Sequence, residues 1–256
     1  MTERSEGISP WFCGTTRVDA STRLFCFPYA GGNAAAFLPW QPLLGPDVEL
    51  WVAQLPGRGT RLFETPLPDL DELVARLADV VGEHTDRPYV LFGHSLGALV
   101  AFEVARALRR AGLPPPCGLW VAGAEGPQTR VIDQRLHNLP DAELVNALRD
   151  YGGTSTELLD DPEMMALLLP GLRADLAVDE CYDYRTEPRL ELPIHLLLGS
   201  RDPHVDRERA EGWSRESNQR IHRHVFPGEH FFLFPHQATI TALLATALAT
   251  NSMTSR

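Results

Sequence analysis

Cysteine is scarce in this 256-residue chain, and its four cysteines are scattered. They are Cys13, Cys26, Cys117 and Cys181, with no C-x-x-C spacing among them. A disulfide framework or a zinc site needs cysteines at short, regular spacing, so neither is expected. No pair of histidines has a ligand spacing such as H-E-x-x-H, so a catalytic metal is not expected either.

Basic residues are also fewer than acidic ones. Lysine and arginine total 23 against 34 acidic residues, which gives a net charge of −11 and a pI of about 5.3. Phosphate contacts need a basic surface, so nucleic acid is not expected as a partner. No apolar run reaches the length of a membrane span, and the first seven residues are polar without a signal core. We therefore expect a cytoplasmic protein.

Short apolar runs alternate with helical patterns along most of the chain. Such runs cover 24–27, 48–53, 89–92, 119–122, 194–198 and 220–226. The clearest helical pattern covers 70–81, where apolar residues recur at the spacing of one helix face. Residues 1–21 have no such pattern and are interpreted as a loosely held leader, docked by Trp11 and Phe12. This alternation predicts an α/β fold with a mostly parallel sheet flanked by helices, as one domain over 1–256.

The alternation is interrupted between about 130 and 191. Helical patterns cover 141–149 and 161–184, the second interrupted at Pro170–Gly171, and no strand pattern is found. We refer to residues 130–191 as the helical insertion. A helical segment between two strands of a parallel sheet is typical of a lid over a substrate pocket. The alternative is that it only covers an exposed edge of the sheet.

The pentapeptide Gly93–Gly97 matches G-x-S-x-G and lies between a predicted strand and a predicted helix. Strand, sharp turn and helix is the context in which this motif presents a serine, Ser95, at the C-terminal edge of a sheet. The glycines suit a turn too crowded for side chains. The alternative is an ordinary turn whose serine caps the following helix.

A serine hydroxyl needs a base, and the base needs a carboxylate that fixes its tautomer. Asp202 is the leading candidate acid because it follows the 194–198 strand in a glycine-containing turn. Its alternative role is to form the turn or cap the next helix. Asp206 is better interpreted as a helix N-cap. Asp179 and Asp183 lie in helical sequence and are poorer candidates.

His230 is the leading candidate base because it follows the 220–226 strand on a Pro-Gly loop. His94 adjoins the serine, but its side chain is expected to point away and to pack. Other histidines are interpreted as strand, surface or helix-start residues: His204, His222, His224 and His236.

A tetrahedral oxyanion needs two fixed N–H donors. One is expected to be the backbone amide of Leu96, at the N-terminus of the helix after Ser95. The second is expected from the glycine-rich loop 28–32, with the amide of Ala30 as our choice. The alternative for this loop is a plain strand-to-helix turn.

Five segments in this order resemble one known family. They are Phe27–Gly32, Leu55–Arg58, Gly93–Gly97, Gly199–Asp202 and Gly228–Phe232. Together they resemble the free-standing type II thioesterases of polyketide and nonribosomal peptide assembly lines, which are α/β-hydrolases with a helical lid. The resemblance runs from about Leu24 to the C-terminal helix.

The resemblance implies a triad of Ser95, Asp202 and His230. It also implies hydrolysis of acyl thioesters on the phosphopantetheine arm of acyl or peptidyl carrier proteins, which removes stalled acyl groups, with no cofactor of the enzyme's own. Arg58, Arg61, Arg130 and Arg135 are candidates for a basic patch facing an acidic carrier. Alternatives are a general carboxylesterase or lipase, a cyclising thioesterase domain, or a non-catalytic carrier-binding protein on the same fold.

Overall fold

The fold is that of a computed structural model of the chain, which describes residues 9–254. The polar first seven residues, from which we predict no signal peptide, lie outside the described residues. Within the described part of the chain, no helix is both long enough and apolar enough to span a membrane.

Within residues 9–254, seven strands form one sheet. They are β1 (Phe12–Gly14), β2 (Thr22–Phe27), β3 (Val48–Ala53), β4 (Tyr89–His94), β5 (Leu119–Ala122), β6 (Ile194–Gly199) and β7 (Ile221–Phe226). The spatial order is β1-β3-β2-β4-β5-β6-β7. Only β1 is antiparallel to its neighbour, and the other pairs are parallel. The predicted mostly parallel α/β sheet is thus confirmed.

In the part of the chain that the structure describes, eight α-helices connect and cover the strands. They are α1 (Gln41–Leu44), α2 (Leu70–Gly82), α3 (Leu96–Arg110), α4 (Asp141–Tyr151), α5 (Thr156–Leu159), α6 (Pro162–Glu180), α7 (Arg207–Ala210) and α8 (Gln237–Thr254). Short 3₁₀ turns cover Ala34–Ala36, Leu38–Trp40, Gly59–Arg61, Leu136–Asn138 and Glu211–Arg215. The side chain of Asp69 caps α2 by accepting a hydrogen bond from the Glu72 amide at 2.8 Å.

An apolar core lies on each face of the sheet. One contains side chains of α2 and α3, such as Leu77 and Phe102, and the other contains side chains of α8, such as Leu244. Every residue of β2, β3, β4 and β5 is buried, as expected for parallel strands covered on both faces. Residues of α3 are buried along almost its whole length, in agreement with its apolar sequence.

Two features near the N-terminus and in the helical insertion differ from the prediction. Phe12 is fully buried and starts strand β1, which pairs with β3, so this part of the predicted leader belongs to the sheet. Helix α6 runs through Pro170 without a break. Proline costs about 3 kcal/mol inside a helix, and the helix continues through it with Leu169 and Ala174 buried on either side.

The helical insertion builds a small apolar core of its own. Its buried side chains come from α4, α5, α6 and the 3₁₀ turn before them: Leu136, Leu144, Leu148, Leu159, Met165 and Leu169. Helix α6 also packs against α3. The insertion therefore rests above the C-terminal end of β4, from which α3 starts.

Candidate active site

Ser95 sits at a strained turn between β4 and α3. It has φ 54° and ψ −120° and is the only non-glycine residue with positive φ among residues 9–254. A Cβ at Gly97 would lie 1.9 Å from the Phe27 carbonyl oxygen, and one at Gly93 would lie 2.0 Å from the Gly97 oxygen. Both glycines are therefore required by close backbone contact. A strained residue held in this way is typical of a functional site.

Asp202 and His230 follow the neighbouring strands β6 and β7 and meet at the C-terminal edge of the sheet. His230 Nδ1 lies 2.9 Å from Asp202 Oδ2, and their side chains are only 5% and 2% exposed. The other carboxylate oxygen accepts a hydrogen bond from the amide of His204 at 2.9 Å. Because a carboxylate accepts, the proton of a neutral His230 lies on Nδ1, which leaves Nε2 able to act as a base.

His94 links the serine turn to the histidine loop. Its ring is fully buried, as predicted for a packing residue, and its Nε2 donates to the carbonyl oxygen of His230 at 2.9 Å. Burial, together with the nearby His230, holds the pKa of His94 well below its usual range. A neutral His94 with its proton on Nε2 is therefore the form that makes this bond.

The two candidate oxyanion donors lie beside Ser95. Strand β2 pairs with β4 so that Phe27 is opposite Gly93, which brings the loop after β2 next to the serine turn. Ala30 and Leu96 line the same cavity as Ser95. Leu96 is the first residue of α3, where helix amides have no partner within the helix. Within residues 9–254, the Ala30 amide has no hydrogen-bond partner.

Two cavities meet at Ser95. One, of about 410 Å³, extends under the helical insertion and is mainly apolar. Its apolar lining includes Leu148, Leu158, Met165, Leu168, Leu172 and Phe231. The other, of about 560 Å³, is lined by His230 and by charged side chains that include Glu125, Arg130, Asp179 and Arg209. The serine can thus reach an apolar group on one side and a polar group on the other.

Tyr151 and His204 also lie at the site, although the sequence did not single them out for it. Their rings stack at 3.8 Å, and both rings are within 6 Å of the His230 ring, at 5.9 and 5.5 Å. Burial and the nearby His230 lower the pKa of His204. Tyr151 comes from the end of α4, so this stack joins the helical insertion to the loop that carries Asp202.

Two of the other acidic candidates bind neighbouring groups. Asp206 caps α7 by accepting from the Arg209 amide at 2.9 Å, as expected. Asp179 pairs with Arg130 at 2.6 Å. In residues 9–254, no cluster of three or more histidine, cysteine or acidic side chains is arranged to hold a metal ion.

Three of the four arginines considered for a basic patch are paired with carboxylates. Arg58 is 5% exposed and bound to Asp175, so its inclusion in an exposed patch is wrong. Arg61 pairs with Glu64 at 2.6 Å, and Arg130 pairs with Asp179. Arg135 is exposed. A carrier-facing patch therefore cannot be built from these four side chains together.

A mostly parallel sheet, a serine turn after β4, an acid after β6 and a histidine after β7 define an α/β-hydrolase. The family described as Thioesterase domain matches residues 22–248. The chain belongs to this thioesterase family.

Similar proteins include proteins of biosynthetic pathways. The gramicidin S biosynthesis protein GrsT of Aneurinibacillus migulanus is 37% identical over 228 residues, which cover 89% of each chain. The type II thioesterase BorB from the borrelidin biosynthetic cluster has a TM-score of 0.85 and 35% identity, covering 94% of this chain and 98% of its own. RedJ, a thioesterase from the prodiginine biosynthetic pathway of Streptomyces coelicolor, has a TM-score of 0.84 and 40% identity. The match covers 91% of this chain and 88% of RedJ. The resemblance to type II thioesterases is confirmed.

Proposed function

We propose that this chain hydrolyses acyl thioesters carried on the phosphopantetheine arm of carrier proteins and so releases stalled acyl groups from a polyketide or nonribosomal peptide assembly line. The observation that carries the proposal is the position of Ser95, between an apolar and a polar cavity and next to the His230–Asp202 pair. The relatives named above, a gramicidin S biosynthesis protein and a type II thioesterase of the borrelidin biosynthetic cluster, support the choice of substrate class.

The two cavities match the two halves of such a substrate. The apolar cavity under the helical insertion accepts the acyl chain, because burying its methylene groups is favourable. The polar cavity accepts the amide-bearing arm, whose polar groups need partners when they leave water. The insertion thus acts as a lid over the acyl group, and the thioester carbonyl lies at Ser95.

The reaction has two steps. In the first, His230 Nε2 takes the proton of Ser95 as Oγ attacks the thioester carbon, and Asp202 stabilises the imidazolium. The amides of Ala30 and Leu96 bind the oxyanion. The carbon–sulfur bond then breaks, and His230 returns the proton to the departing thiolate. In the second step, His230 activates a water, which attacks the acyl-serine and yields a carboxylic acid and free Ser95.

The test is a panel of acyl-carrier thioesters and simple esters, assayed with the wild-type protein and Ser95→Ala. We expect kcat/KM to be highest for carrier-bound thioesters and to fall by about 10⁴-fold or more in the variant. A serine-directed fluorophosphonate should label Ser95, as located by mass spectrometry. Comparable turnover of free esters favours a general esterase, and full activity of Ser95→Ala excludes the proposed mechanism. Absence of any released acid favours a non-catalytic binding protein.

A further inference from the structure

A buried ion pair joins the helical insertion to the loop after β3. Arg58 and Asp175 are 5% and 1% exposed, and their side chains form a two-pronged contact, with Nη2 to Oδ1 at 2.7 Å and Nη1 bound to Oδ2. The reaction steps above use neither residue. Buried ion pairs often add little stability, because desolvation of the two charges offsets their attraction. A gain in folding stability therefore does not explain why this ion pair is buried here.

Asp175 also binds the loop that carries the oxyanion donor. Its Oδ2 accepts a hydrogen bond from the Gly31 amide at 2.7 Å. The same loop forms a turn in which the Gly32 amide donates to the Tyr29 carbonyl at 2.8 Å, and Gly31 has φ +76°. These are the features of a type II turn centred on Ala30 and Gly31. Asp175 thus holds the middle peptide of the turn that presents the Ala30 amide.

Helix α6 is in close contact with the loops after β2 and β3. A Cβ at Gly171 would lie 2.7 Å from the Gly57 carbonyl oxygen, and a Cβ at Gly31 would lie 3.0 Å from Leu172. Arg58 also donates to the Pro56 carbonyl at 3.3 Å, which fixes the guanidinium from its own loop. The carboxylate of Asp175 is consequently held on one side by Arg58 and on the other by Gly31.

We propose that Asp175 is a positioning residue that sets the Ala30 amide for the oxyanion, and that Arg58 holds Asp175 in place. Docking of the helical insertion is thereby coupled to the reaction. The loop 28–32, which carries the Ala30 amide, has its active geometry only when α6 is docked against it. The inference rests on the proposed function, because it assumes that the Ala30 amide binds a tetrahedral oxyanion. A charged acceptor suits this task, because hydrogen bonds to an ionised group are about twice as strong as neutral ones.

The first variant is Asp175→Asn, which keeps the side-chain size and removes the charge. We expect kcat for an acyl-carrier thioester to fall by about 10- to 100-fold, as for a misplaced oxyanion donor, with KM changed by less than about threefold. The matched control is Glu49→Gln. Glu49 forms an equally buried pair with Arg23 at 2.7 Å, but at the start of β3, away from the site. We expect this control to lower Tm and to leave kcat within about twofold.

A second variant tests the inference if Asp175→Asn fails to fold. Arg58→Met combined with Asp175→Leu replaces both buried charges by apolar side chains, which is often neutral for stability. The Gly31 amide then has no acceptor, so we expect a folded protein with kcat lowered as in Asp175→Asn. Amide hydrogen exchange of the segment around Gly31 gives a readout that does not depend on activity, and we expect faster exchange in both variants.

Two results would overturn the inference. One is wild-type kcat in the double variant, and the other is unchanged exchange around Gly31 in Asp175→Asn. A fall in Tm with unchanged kcat, as in the Glu49→Gln control, would assign Asp175 a purely structural role. Ser95→Ala is measured in parallel. If that variant keeps its activity, the proposed function fails, and the exchange measurement alone decides whether Asp175 holds the loop.

Discussion

His94 Nε2 donates a hydrogen bond to the backbone carbonyl of His230 at 2.9 Å, across 136 residues of sequence. The residue beside the candidate nucleophile thus fixes the loop of the candidate base. Its ring also makes edge contacts with Tyr29 and Phe231 at 5.5 Å. His94 is therefore the point at which the loops after β2, β4 and β7 are joined.

Replacement of His94 by phenylalanine keeps a ring and removes the donor. We expect kcat to fall by about tenfold or more, because the loop of His230 loses its anchor. We also expect the free energy of unfolding to fall by about 1–3 kcal/mol, because the buried carbonyl is left without a partner. His94→Gln retains an N–H donor and should recover part of both losses. Wild-type kcat in His94→Phe, normalised by titration of Ser95, would contradict this role.

Asp202 is expected to act through the tautomer of His230. In Asp202→Asn the side chain can donate to Nδ1, which places the imidazole proton on Nε2 and blocks its action as a base. We expect kcat to fall by about 10⁴-fold with little change in Tm. Asp206→Asn is the matched control, since Asp206 lies on the same loop and caps α7. Steady-state kinetics should show less than a tenfold effect for the control, and equal effects in the two variants would refute the assignment of Asp202.

The residues of the candidate site could be proposed from the sequence because each follows a predicted strand. In a parallel sheet the C-terminal ends of the strands share one edge, so Ser95, Asp202 and His230 converge although they are distant in sequence. Strand and helix periods are local properties, and they located β3 and α2 to within a residue of their observed bounds.

Contacts made by single side chains could not be predicted in this way. Asp175 reaches Arg58 and Gly31 across 117 and 144 residues, and nothing in its helical surroundings indicates either contact. Strand β1 has only three residues, too few to show a period, and depends on its pairing with β3. His222 and His224 were expected to be exposed and are half-buried, because their rings lie in a stack with His195.

The size of the apolar cavity should limit the acyl chain. Met165 lines this cavity and is 5% exposed. In Met165→Trp the indole occupies space available to the acyl chain, so we expect kcat/KM to fall by about 10- to 100-fold for long acyl thioesters and little for acetyl. Leu167→Trp is the control, because Leu167 lies on the same helix and is 46% exposed. A chain-length series on one carrier measures the effect, and an equal loss for all lengths would show that the cavity does not hold the acyl chain.

A histidine stack near the edge of the sheet should make stability depend on pH. His195 stacks on Trp120 at 3.9 Å and on His222 at 4.4 Å, and its Nδ1 lies 3.3 Å from His224 Nε2. Burial, and then the charges of His222 and His224, lower the pKa of His195 to about 3. The pKa values of His222 and His224 are also lowered, mainly by burial. Folding thus disfavours protonation of the whole stack.

Since the pKa of His195 is lower in the folded than in the unfolded chain, the unfolded chain binds more protons between about pH 3 and pH 6.5. Stability is therefore complete above about pH 6.5 and falls as the pH is lowered through this window. After allowance for partial solvent screening, we expect a loss of about 1–2 kcal/mol between pH 6.5 and pH 4.5 from this residue. His195→Phe keeps the stack on Trp120 and removes the titrating group, so its Tm should fall less steeply with decreasing pH, by a few degrees over this range. Parallel Tm profiles of the two proteins would mean that His195 does not control the acid sensitivity of the fold.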